Sequence, residues 1–199
     1  MNPKIKTFLI VGGIVVVFVF LVYGIFRASS QSFKLPDKFT AARDEARKIS
    51  QEIVDLTNQT NQLIKDANIS DFNGKSEEAV DFINKARQLN EQAYNKAFEL
   101  SLAVQKMAEA LSEIKQREFQ QIAYEAASLE LALISDFITY TQRLNQFFNL
   151  LTTAVLTNKK QDRQAAAAAL AEVNEKIKNI NNLNQEFINK MSELSSFSK

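Results

Sequence analysis

The chain has 199 residues, with 24 Lys and Arg against 23 Asp and Glu, and contains no histidine, cysteine or tryptophan. With no basic surplus to attract a phosphate backbone, nucleic acid is not an expected partner. Lacking histidine and cysteine, the chain has neither the commonest general base and metal ligand nor any thiolate nucleophile or disulfide. No metal, cofactor or enzymatic activity is therefore expected.

Residues 1–7 are a short basic lead containing Lys4 and Lys6. Residues 8–26, FLIVGGIVVVFVFLVYGIF, carry no charge. As a helix they would span roughly 28 Å, close to the hydrocarbon thickness of a bilayer. A cleaved signal peptide has an apolar run of about 7–15 residues and small residues at its cut. Ala28-Ser29-Ser30 is a weak site of that kind. The segment therefore predicts a retained single-pass transmembrane helix, a signal anchor, with the lipid bilayer as first partner. Lys4 and Lys6 before the span nearly balance Arg27, Lys34 and Lys38 after it. The short basic lead places the N-terminus in the cytoplasm and the rest of the chain on the extracytoplasmic side.

Residues 27–36 read as a polar connector. Beyond Pro36 there is no proline, and Gly74 is the one glycine. Strands need turn residues far more often than that. The expected fold is all-α: an antiparallel bundle of three or four long helices over 37–199, with coiled-coil-like packing. The first helix, about 37–68, carries an alternating three–four seam of Phe39, Ala42, Ala46, Ile49, Ile53, Leu56, Thr60, Leu63 and Ala67. Asn73-Gly74 marks a turn, with Ser76 as a capping hydroxyl and Glu77-Glu78 facing the helix dipole. A calcium-loop reading of this stretch fails, because Lys75 and Phe82 stand where ligands are needed.

Apolar positions then recur from Ala79 to Ile114 and from Phe119 to Val155. Whether 76–157 is one helix or two is undecided by periodicity. The heptad phase slips across Lys115–Glu118, which favours helices of about 76–114 and 117–157 joined by a turn. The polar break Thr157–Lys160 precedes a last helix of about 160–197, with Asn158 as its expected cap and Asn184 interrupting its seam. An asparagine at such a position can set register in a coiled coil.

Between Ile122 and Ile138 a second apolar row appears, and Tyr124, Leu131, Ile134 and Ile138 are its candidate partner-binding residues. Such a row belongs to a deeply buried helix or to an association surface. Glu125, Glu130 and Asp136 read as solvated acids rather than as a catalytic carboxylate pair. The sequons Asn58-Gln59-Thr60 and Asn68-Ile69-Ser70 carry little weight in a chain rich in asparagine.

The functional expectation is a membrane-anchored, non-catalytic interaction or scaffold protein that binds a protein partner or itself through helix faces. A sensory or ligand-binding extracytoplasmic four-helix bundle is one alternative. A helix-zippering membrane-remodelling protein is another. In outline, as an anchor followed by a bundle, the chain resembles the bacterial LemA family, at the level of architecture and not of residue motifs.

Overall fold

A computed structural model describes residues 36–196. The expected membrane span at 8–26 and the connector up to residue 35 lie outside the described residues. None of the described helices is long and apolar enough to cross a membrane. They number four: α1 (Asp37–Phe72), α2 (Ser76–Ala110), α3 (Arg117–Thr157) and α4 (Lys160–Ser196). At about 1.5 Å per residue they run roughly 50–60 Å and form an antiparallel bundle.

The turns show why the helices stop where they do. α1 continues past the expected residue 68 to Phe72 because Gly74, at φ +76°, closes it. The Gly74 N–H donates to the Asp71 carbonyl at 3.0 Å and the Lys75 N–H to the Ser70 carbonyl at 2.9 Å, the paired bonds of a Schellman ending. Ser76 is the first residue of α2 rather than its cap. Lys75 occupies the cap position without a side-chain bond, while Glu77 and Glu78 stand in the first turn.

α2 and α3 are separate helices. α2 ends at Ala110, a single 3₁₀ turn follows at Leu111–Glu113, and Ile114 adopts extended backbone. No glycine or proline makes this break. Leu111, Ile114 and Phe119 are all buried there, and Gln120 Nε2 donates to the Leu111 carbonyl at 2.8 Å. The break is thus set by apolar anchoring and by a side chain that satisfies a carbonyl the helix leaves open.

At the opposite end Asn158 does not cap α4. It sits at φ 53° and closes α3, its N–H donating to the Ala154 carbonyl at 3.0 Å. Its Oδ1 accepts from Arg163, whose guanidinium also grips Asp71 with two bonds of 2.7 and 3.0 Å. This clamp ties the α1–α2 loop to the α3–α4 loop.

The nearest backbone approaches join α1 to α2 and α3 to α4, with α2 and α3 less intimate. Ala79, Ala86, Ala93 and Ala97 are buried along α2, and Ala123, Ala126 and Ala127 along α3. By backbone approach the bundle is two close-packed hairpins, and larger side chains fill its interior, among them Phe39, Phe137, Tyr140, Phe147, Phe148 and Phe187.

The α1 seam departs from a strict heptad. Leu56 and Leu63 are only half-buried, while Thr57 and Ile64 are buried in their place. A helix with 3.6 residues per turn drifts about 20° per heptad against a seven-residue pattern, so the buried stripe moves one residue on by mid-helix. Thr57 and Thr60 become compatible with burial by donating to the Ile53 and Leu56 carbonyls, each at 2.8 Å.

Overpacking the alanine-lined face of α2 tests how closely its neighbours approach. Ala97 is fully buried. Ala97→Leu is expected to lower unfolding free energy by about 1–3 kcal/mol in urea titration, whereas the same change at exposed Asn95 is expected to have little effect.

Candidate partner surface

The exterior of α3 is organised by where its charges go. After Glu118 it carries four: Glu125, Glu130, Asp136 and Arg143. Glu125 pairs with Lys190, Asp136 with Lys176 and Arg143 with Glu172, each at 2.9 Å and each with α4. The Lys190 contact is the main cause holding the Glu125 carboxyl below the usual range, and it raises Lys190 in turn together with Glu193. Glu130 does not reach the surface. Beyond Arg117, the flank of α3 turned away from α4 is therefore uncharged.

That flank borders α2. Buried Asn90 on α2 donates through Nδ2 to the Thr141 carbonyl at 2.8 Å and to Asn145 Oδ1 at 2.9 Å, which fixes the direction Asn145 faces. Ile138, Leu131 and Tyr124 precede Asn145 at intervals of seven, so they form one column along the α2–α3 border. Ile138 is half-buried against the core, Leu131 is 37% exposed and Tyr124 41%.

Ile134 leaves the predicted set. It is 2% exposed, in the core, because three residues beyond Leu131 a helix has turned about 60° away from that column. Asn184 is half-buried on α4.

α2 contributes a second row that sequence reading passed over. Tyr94, Phe98 and Leu102 follow Asn90 in steps of four, a spacing that swings progressively outward. Tyr94 is half-buried, and Phe98 and Leu102 are exposed. The Tyr94 and Phe98 rings meet edge-on at 5.0 Å. Leu102 on α2 and Leu131 on α3 lie equally far from the Asn90 junction and therefore at the same height. The signal available in sequence was an apolar i, i+4, i+8 row lying off the main α2 seam.

Other polar groups of the interior serve packing. Glu130, read as a solvated acid, is instead 3% exposed. Burial pushes its carboxyl up to about 8. Burial likewise raises the Tyr140 phenol, which stays protonated. A pocket of about 10 Å³ near the loop clamp, lined by Ile64, Ala67, Ile83 and Phe147 among others, has room for roughly one water. No group of three or more acidic side chains placed to hold a metal occurs among the described residues.

Comparison with protein-family models, with curated proteins and with solved structures finds no match to this chain.

Glu130 gives the bundle a pH dependence of definite sign. An unfolded glutamate loses its proton near pH 4.3, whereas the folded one keeps it to about 8. Between these values the folded state binds the extra proton, so stability falls as pH rises and levels off above about 8. Glu130→Gln is expected to flatten that slope. Urea titrations should find it more stable than the parent by a few kcal/mol at pH 8 and nearly equal at pH 4. Parallel pH curves for the two proteins would refute this.

Proposed function

We propose that the chain is a non-catalytic interaction protein, held at a membrane by residues 8–26, that binds a protein partner through the α2–α3 face. The observation that carries this reading is the charge arrangement of α3. Burying a charged side chain at an interface costs several kcal/mol unless it is matched. On this flank the cost does not arise, because the three surface charges of α3 beyond Glu118 are already engaged with α4. The flank itself is a strip of Ser, Thr, Gln and Asn with Tyr124 and Leu131, bordered by Phe98 and Leu102. Uncharged polar side chains with aromatic and aliphatic anchors are the composition that association surfaces favour.

The anchor is supported by the uncharged run at 8–26. It sets the place of action, and the bundle supplies the rigid face. With neither histidine nor cysteine, the chain suits recognition better than catalysis.

Two measurements test this reading. Deleting residues 1–28 should move the protein from the membrane pellet to the supernatant, and retention in the pellet would remove the anchor from the proposal. Leu131→Arg puts a charge in the middle of the strip at an exposed site. Its thermal stability should stay within about 0.5 kcal/mol of the parent, while crosslinked partner recovered from native membranes should fall at least tenfold. Unchanged recovery would count against the face.

A further inference from the structure

We infer that the occupant of the α3 strip is the α3 strip of a second copy, paired in parallel about a two-fold axis running along the bundle. This rests on the reading of α2–α3 as the binding face and names what binds there.

Residue spacing supports the pairing. Tyr124, Leu131 and Ile138 recur at seven, and Ser128, Ser135 and Gln142 recur at seven four residues later. Together they alternate steps of four and three, the repeat by which two parallel helices keep one edge in contact. This repeat is distinct from the one that faces the bundle core, where Ala126, Ala127, Leu133, Ile134 and Phe137 lie. Small serines at two of the six positions allow close approach, and Leu131 and Tyr124 lie beside them as anchors.

Charge favours the same occupant. The outer faces of α1 and α4 carry exposed Asp44, Arg47, Lys48, Glu172 and Lys178. A copy that docked its strip against either face would strip water from those charges with nothing charged opposite to receive them. Strip against strip, from Tyr124 to Gln142, buries no charge from either side. A two-fold interface must be self-complementary, and an uncharged surface meets that condition without like-charge repulsion.

Anchoring sets the direction. Two copies held through residues 8–26 point the same way, so α3 meets α3 in parallel and each residue faces its own counterpart. In an antiparallel pair of strips Ser128 would instead face Ile138.

The natural chain has no cysteine, so a single introduced one reports without background. Full-length Ser128→Cys and Ser135→Cys proteins are oxidised in mild detergent, with Lys48→Cys and Lys178→Cys, exposed on α1 and α4, as controls. The expected result is a disulfide-linked species of twice the chain mass, at least fivefold more abundant for the two serine positions than for the controls. Equal yields at all four positions would overturn the pairing. A dimer that forms only when Ser128→Cys is mixed with Ile138→Cys would overturn the parallel arrangement.

A photocrosslinker at Ser135 in native membranes separates this inference from the reading beneath it. An adduct of twice the chain mass supports self-pairing. An adduct of another mass overturns self-pairing and keeps the binding face. No protein adduct at Ser135 overturns both.

Discussion

The pairing of α3 with α4 decides which surface charges of α3 are matched and which flank is left without them. Which charged side chains stand on which flank is set by their spacing along the helix. On α3 those flanks are unequal. One lies against α4 and takes Glu125, Asp136 and Arg143 into ion pairs. The other lies toward α2, which stands further off and meets α3 through the Asn90 bonds to Thr141 and Asn145. The uncharged outer strip thus follows from the spacing of Glu125, Asp136 and Arg143, which puts all three on the α4 side. Surface ion pairs add little stability individually. Here their larger effect is on position, because they hold every surface charge of α3 beyond Glu118 to one side.

Much of this architecture is legible in the sequence, and where it is not the reasons are specific. The absence of proline after Pro36, together with long three–four apolar spacing, forces helices. Asn73-Gly74 marks a turn because an asparagine–glycine pair readily supplies the positive φ that a Schellman ending needs. The α2–α3 break is harder to read, since Leu111, Ile114 and Gln120 make it through burial and one side-chain bond rather than through a breaker residue. The drift of the α1 seam from Leu56 to Thr57 follows from helix pitch and accumulates too slowly to be read from a single heptad. Of the candidate surface, Tyr124 and Leu131 are exposed, Ile138 is half-buried and Ile134 lies in the core, a difference of face that an apolar row alone does not reveal. Phe98 and Leu102 were missed because they lie off the seam by which α2 was recognised. Glu130 was misread because an acid on a helix is ordinarily solvated, and only the packing of four helices makes its position interior.

The buried polar groups shape the bundle in a different way from the apolar ones. Asn90 satisfies both an acceptor on the α3 backbone and Asn145, so sliding α2 along α3 by one turn would break two bonds inside a low-dielectric interior. The apolar contacts around it tolerate such a slide better, because alanine and leucine repeat along the helices. Asn90 therefore fixes the register between the two hairpins, and the Arg163–Asp71 clamp fixes it again at the loop end. With both in place, Leu102 and Leu131 are held at one height, and the exposed apolar side chains of α2 and α3 form a single surface.

The modest apolar content of that surface agrees with a tethered protein. Tyr124, Leu131, Phe98 and Leu102 are few anchors for a face that must capture a partner from dilute solution, where association costs at least several kcal/mol of lost translational and rotational freedom. Two chains confined to one membrane and oriented alike have already lost part of that freedom, and their effective concentration is correspondingly high. A larger apolar patch would then be a liability, since it would also recruit unfolded chains and unrelated surfaces. A strip mostly of hydroxyl and amide groups avoids this, because its hydrogen bonds to water are replaced only when a matched strip arrives in register. In the proposed arrangement the uncharged run at 8–26 would supply concentration and orientation, and the uncharged face of α3 could be weak and selective because of it.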